Sequence, residues 1–232
     1  FLVNDVMLRR NQDDVQEWEK RVVLWGENDE EIIATYKKAL EIINPRKATA
    51  NLHRLYIHFA EFYEDGGSQG RKQPGSMERD VTSARQIFER AIKVPYKRVD
   101  DLAEVWCSWA EMELRNGNYN EALRVMARIL ELKIANAQTI INFAQFLEEQ
   151  HYYEDAFRVY ERGVELFTYP VAFELWNVYL SKFVARYGGS KLERARDMFE
   201  QALDKCPANL CKPLYLKYGE LEEKYGLVRK AM

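Results

Sequence analysis

A short helical pattern recurs along this chain, and a chain that repeats itself folds as stacked copies of one unit. Ala84-Arg-Gln-Ile-Phe-Glu-Arg-Ala-Ile92 returns as Ala156-Phe-Arg-Val-Tyr-Glu-Arg-Gly-Val164 and again as Ala195-Arg-Asp-Met-Phe-Glu-Gln-Ala-Leu203. Ile32 to Leu40 and Ala122 to Leu130 repeat it more weakly. Apolar or small residues fall at i, i+3, i+4, i+7 and i+8, which lines one stripe of an α-helix. Small residues at the first and eighth places let a neighbouring helix come close. The ring at the fifth place (Tyr36, Phe88, Tyr160, Phe199) fills the space between them. This element is helix B.

A second signature, helix A, precedes each helix B. It reads Leu55-Tyr-Ile-His-Phe-Ala60, Val105-Trp-Cys-Ser-Trp-Ala110, Ile140-Ile-Asn-Phe-Ala144, Leu175-Trp-Asn-Val-Tyr179 and Leu214-Tyr-Leu-Lys-Tyr-Gly219. Large side chains three apart share a helix face. Trp18, Tyr56, Trp106, Ile140, Trp176 and Tyr215 are the equivalent anchors, roughly 34–39 residues apart apart from one interval of roughly 50. Capping boxes are expected at Asp14/Glu17, Asn28/Glu31, Asp101/Glu104, Asn118/Glu121 and Ser190/Glu193. Pro45, Pro95 and Pro207 stop helices B.

No segment alternates with the period of a strand. The expected fold is therefore all-α: a right-handed α-α superhelix, or α-solenoid, of tetratricopeptide-like helical hairpins. The pattern predicts one array over 1–232 with a leading helix and repeats at 14–45, 48–95, 101–134, 136–168 and 170–207, then a truncated pair at 210–232. The long interval falls at 65–79, which carries four of the 11 glycines and reads as a flexible insertion that forms no stable helix. The chain opens without Met and stops inside a helical pattern, as a piece of a longer solenoid would.

Composition narrows the function classes. The 34 Lys and Arg against 37 Asp and Glu give a net charge of −3, which disfavours binding nucleic acid by bulk charge. No apolar run is long enough to span a membrane. Cys107, Cys206 and Cys211 are too few for a disulfide framework or zinc site, and are expected to be reduced thiols of an intracellular protein. His53, His58 and His151 accompany no nucleophile at motif spacing and read as helix-surface or rim histidines. Gly66-Gly-Ser-Gln-Gly70 with Arg71 and Lys72 fails the spacing of a phosphate loop. Neither catalytic residues, nor a cofactor, metal or small-molecule substrate, is expected.

The remaining signature residues are structural. Trp106, Trp109 and Glu113 repeat as Tyr215, Tyr218 and Glu222, with Trp176 and Tyr179 as a further ring pair, facing helices B that carry Phe88, Tyr160 and Phe199. Glu113 and Glu222 stand beside packed rings, a setting for a hydrogen bond tying helix A to its neighbour. The pairs Glu89-Arg90 and Glu161-Arg162 read as exposed charges or links between repeats.

Paired rings with a Glu in helix A, and Ala-Arg-x-x-Phe-Glu-x-Ala in helix B, resemble the half-a-tetratricopeptide (HAT) repeat of RNA-processing factors. Val99 to Trp106, Glu121 to Arg124, Arg186 to Asp197 and Leu221 to Met232 resemble the Syf-type pre-mRNA splicing factors, whose animal form is the XPA-binding HAT protein. The resemblance covers nearly all of the chain except 65–79. It implies a nuclear scaffold of the NineTeen (Prp-nineteen-associated) or intron-binding complex, with other spliceosomal proteins as partners. In animals it also implies a link to transcription-coupled repair. The alternative is an RNA-processing factor that touches RNA directly through a local basic face. Near Met126 to Arg128 the chain departs from the family: the sequence up to Met126 resembles the start of one helix B and that from Arg128 the end of the helix B one repeat later, so either a repeat is lost or a segment is absent. The expectation leans to an absent segment, with a break in the backbone there.

Overall fold

The computed structural model describes residues 1–49, 51–68, 77–132 and 134–226. Among these residues every regular element is helical. The chain divides into two compact units, 1–135 and 136–232.

The first unit opens with α1 (Leu2–Arg10), followed by α2 (Val15–Trp25), α3 (Asp29–Ile42), α4 (Leu52–Asp65), α5 (Val81–Ala91), α6 (Val99–Arg115) and α7 (Tyr119–Glu131). Helices α2, α4 and α6 are helices A; α3, α5 and α7 are their helices B. Each pairs with its partner, and α4 also packs on α6. The first unit's core runs from Leu8 and Trp18 through Tyr36, Phe59 and Phe88 to Met112. The second unit holds α8 (Ala137–Glu149), α9 (Tyr153–Leu166), α10 (Val171–Tyr187), a 3-10 turn (Gly188–Lys191), α11 (Leu192–Asp204) and α12 (Cys211–Tyr225). Here α8 packs on both α9 and α10, and α11 packs on α10 and α12.

The helices form where the apolar stripe and a cap coincide. Asp14 caps α2 by accepting from the Gln16 amide, and Asn28 caps α3 by accepting from Glu31. At two expected boxes the helix begins elsewhere. α6 starts at Val99, so Asp101 lies in its first turn and caps nothing. Ser190 belongs to the 3-10 turn, donating to the Tyr187 carbonyl, and α11 begins after Lys191. Asn118 precedes α7 without a side-chain cap. Asp80 and Asn136, by contrast, cap α5 and α8 through the amides of Ser83 and Thr139.

Small residues at the first and eighth places of helices B are fully buried: Ala84 and Ala91, Ala156 and Gly163, Ala195 and Ala202. A methyl group on Gly163 would come within 2.9 Å of Ile140 Cγ2, so α8 and α9 approach closely because that position carries no side chain.

Two expectations about irregular segments resolve differently. Within 65–79, the residues 69–76 lie outside the described ones. The described flanks hold no helix beyond Asp65, yet Gly66 and Gly67 are buried, and the Ser68 amide donates to Asp29 Oδ1 at 2.9 Å. The start of the insertion thus folds back on the body of the repeat. Near Met126 the expected break does not occur. α7 runs unbroken from Tyr119 to Glu131, with Ala122, Val125, Met126, Ile129 and Leu130 on its buried stripe. The junction is a continuous helix, because both halves share the same apolar register.

Candidate functional site

What the structure builds with its polar and aromatic residues is a set of clamps between consecutive repeats. In four of the five helices B the ring at the fifth place stacks on the second ring of the next helix A. Tyr36 lies on Phe59 at 4.7 Å and 17°, and Phe88 on Trp109 at 6.0 Å and 4°. In the second unit Tyr160 lies on Tyr179 at 5.6 Å and 16°, and Phe199 on Tyr218 at 5.0 Å and 3°. Such pairs add about 0.5–1.5 kcal/mol beyond the area they bury. Trp106 and Trp176 extend two of the stacks, reaching Trp109 at 5.6 Å and Tyr179 at 6.0 Å.

One helical turn away lies a second contact. Arg85, at the second place of helix B, grips Glu113 with Nε to Oε1 at 2.5 Å and Nη2 to Oε2 at 2.7 Å. Trp109 Nε1 donates to the same carboxylate at 3.2 Å. Arg196 repeats the two-pronged grip on Glu222 at 2.5 and 2.7 Å. Both glutamates are only 1% exposed, and a carboxylate so enclosed is tolerable only when paired and hydrogen-bonded. Hydrogen bonding to the glutamates raises the pKa of both the Arg85 and Arg196 guanidinium groups. Where the second place is Phe157, the facing residue is Phe183, edge-on at 5.4 Å. The clamp therefore comes in an ionic and an aromatic version.

Helices A are also tied directly. Glu64 on α4, itself buried, accepts from Arg115 at 3.1 and 2.7 Å and from Asn116 at 2.8 Å, both at the end of α6. In the second unit Glu148 on α8 meets Lys182 on α10 at 2.8 Å. Lys217 on α12 reaches Asn177 on α10 at 2.5 Å.

The structure places the signature residues as follows. Phe88, Trp106, Tyr160, Trp176, Tyr179, Phe199, Glu113 and Glu222 are buried; Trp109 and Tyr218 are half-buried within their stacks. Tyr215 departs from the expectation. It occupies the anchor position of Trp106 and Trp176 yet is 60% exposed, because no described helix packs on that face of α12. Sequence reasoning also missed Arg85 and Arg196 as the partners of the glutamates. The signal was available: Arg stands at the second place of helix B in the two repeats whose next helix A carries the Glu.

His53 is buried rather than at the rim, with Nε2 3.0 Å from Glu104 and Nδ1 3.6 Å from Asp101. Glu148 and Glu222 are held by Lys182 and Arg196. Among the described residues, no group of three His, Cys, Asp or Glu is placed to hold a metal ion, and no helix is long and apolar enough to cross a membrane.

Comparison with known proteins names the array. The family model described as the Pre-mRNA-splicing factor Syf1/CRNKL1 C-terminal HAT repeat matches residues 45–129 and 125–232, and the SYF1 middle HAT repeat matches 1–43. The chain belongs to the Syf1-type HAT-repeat family of splicing factors. It is 54% identical to Pre-mRNA-splicing factor SYF1 of Mycosarcoma maydis over 299 aligned positions, covering all of this chain and 28% of that protein. Against the human SYF1 it is 43% identical over 283 positions, with all of this chain and 32% of that protein covered. Against Pre-mRNA-splicing factor cwf3 of Schizosaccharomyces pombe it is 38% identical over 282 positions, covering 99% of this chain and 34% of that protein. The chain thus spans about a third of the length of these relatives. Each alignment is longer than the chain's 232 residues, so the relatives carry stretches it lacks. The two matches to the C-terminal repeat meet at 125–129, inside α7.

Proposed function

We propose that the chain is a non-enzymatic scaffold that supports pre-mRNA splicing in the nucleus by docking protein partners along its stacked helices. The observation that carries this reading is the allocation of chemistry. The enclosed carboxylates and rings are largely used in clamps between repeats, and among the described residues no buried set of titratable groups converges on a cleft where a reaction would need it. Within each unit the clamps tie neighbouring helices together, and the faces turned away from them offer a surface for helices or peptides. Relatives named as splicing factors support the process, and the family resemblance favours a NineTeen-type or intron-binding assembly as the setting. The same surface would serve transcription-coupled repair in an animal cell. No cofactor or small-molecule substrate enters this reading.

The test is affinity capture. The tagged chain, incubated with RNase-treated nuclear extract, should retain spliceosomal proteins, and Glu113→Ala with Glu222→Ala should reduce that retention by loosening the array. Capture of no spliceosomal protein by the folded chain would sink the proposal.

A further inference from the structure

Helices A are tied to one another by an acid on one and a cation on the next, and at the step from α10 to α12 the acid is missing. Eight places after the anchor stand Glu64 on α4, Glu148 on α8 and Val184 on α10. Glu64 holds Arg115 of α6 at 2.7 Å, and Glu148 holds Lys182 of α10 at 2.8 Å. Lys224 on α12 occupies the place of Arg115, nine after its anchor. With valine where the acid belongs, Lys224 makes no ion pair among the described residues and lies 5.2 Å from the Tyr225 ring. Lys217, two turns earlier, meets neutral groups: Asn177 Oδ1 at 2.5 Å and Ser181 Oγ at 2.6 Å.

The two lysines border a groove of about 330 Å³ between α10 and α12, within the second unit. Leu180, Val184 and Leu221 give it an apolar floor. Tyr225 stands at its end against the 3-10 turn, where a methyl group on Gly189 would come within 2.9 Å of Tyr225 Cδ1. Glu220 is the one carboxylate among the lining residues, so positive charge is in surplus there. The matching places on α4 and α6 are far more acidic. Glu61, Glu64 and Glu111 stand where α10 and α12 carry Ser181, Val184 and Glu220.

We propose that this groove docks an acidic amphipathic helix of a partner protein, which supplies the carboxylates that α10 lacks. Lys217 and Lys224 are seven residues apart, two turns or about 10 Å along the axis. Two acidic residues at i and i+7 of an opposed helix match that spacing, and apolar residues at i+3 and i+4 fall on the same stripe, toward the floor. RNA suits the groove poorly, because its floor is aliphatic and Phe199 beneath it is buried in the stack with Tyr218. The inference rests on the scaffold reading for there being a protein partner at all, and adds where that partner binds and with what chemistry.

The probe is a fluorescein-labelled, Ala-rich peptide of about 15 residues carrying Glu-x-x-Leu-Leu-x-x-Glu, titrated with the purified 232-residue chain and followed by anisotropy. Binding should weaken as salt rises, and a peptide with Gln for both Glu residues should bind far less. Lys217→Glu with Lys224→Glu should weaken binding at least roughly tenfold, since like charges then face each other. Val184→Glu, which restores the acid of α4 and α8, should weaken it severalfold by pairing Lys224 from within. Arg124→Glu with Arg128→Glu, on α7 in the other unit, should leave it unchanged. Ellipticity checks each fold, and Lys217→Gln with Lys224→Gln replaces the reversed pair if that fails to fold. No binding at about 0.01 M salt, equal binding of the Gln peptide, or indifference to the folded lysine variant overturns the proposal. So does displacement of the peptide by uridine-rich RNA, or a dimer in sedimentation that the lysine variant dissolves, which would seat a second copy in the groove. Peptide binding can fail while spliceosomal proteins are still captured from extract, and the reverse, so the two proposals fail separately.

Discussion

Removing the Glu113 carboxylate leaves the Arg85 guanidinium at a repeat interface with nothing to accept its two hydrogen bonds, and leaves Trp109 Nε1 without its acceptor. Breaking an enclosed pair from one side typically costs 3–5 kcal/mol, and since Arg85 retains some access to water the expected loss for Glu113→Ala is about 3 kcal/mol. Urea unfolding measures it; a change below about 0.5 kcal/mol, the usual range for surface substitutions, would show the clamp to be incidental. Position in the repeat does not by itself decide such values. Trp106 and Tyr215 are equivalent in sequence, but one is enclosed and the other open. Trp106→Ala should cost about 3–5 kcal/mol, whereas Tyr215→Ala should fall within about 0.5 kcal/mol of zero. Equal effects in thermal melts would contradict the difference in burial.

Along single elements, helices α4 and α6 show how carboxylates behave where two helices A meet. Burial raises the Glu61 pKa, opposed by His58 and Arg115; burial also raises that of Glu111, opposed by Arg115 and reinforced by Glu61. An acid whose pKa is higher when folded holds its proton more tightly in the native state. Stability therefore declines as pH rises from the ordinary carboxylate range through the raised folded values. Glu61→Gln with Glu111→Gln should flatten that decline and raise stability near neutrality; an unchanged pH profile would count against it. The same helices show what sequence could and could not disclose. Helix existence and the buried stripe were legible, because the repeat writes the apolar register several times over. Caps were less so: Asp101 matched the box pattern but lies inside a helix that starts at Val99, while Asp80 and Asn136 escaped notice because Ser83 and Thr139 stand where a Glu was sought. A cap is one local hydrogen bond, and where tertiary packing extends the helix, packing wins. The glutamates' structural role was readable from their ringed neighbours; their arginine partners lie 28 and 26 residues away, and show only when the second place of one helix B is read against the helix A of the next repeat.

For the molecule as a whole, the family resemblance anticipated the Syf1-type array, whereas the backbone break expected near Met126 is replaced by a continuous α7. Glu113 and Glu222 belong to different compact units and are gripped by different arginines, so their substitutions should add within about 0.5 kcal/mol if the chain unfolds in one step. A shortfall well beyond that in the double variant would reveal coupling through the intervening helices.

The aromatic stacks also sort the chain's chromophores. Trp18, Trp25, Trp106 and Trp109 lie in the first unit, and Trp176 alone of the five lies in the second. Intrinsic emission is thus weighted toward residues 1–135, while far-ultraviolet ellipticity samples helices throughout. Recording both during one titration turns the unlabelled protein into its own two-channel instrument: superimposable curves mean the units melt together, and a lag between them reads out, without any dye, which unit gives way first.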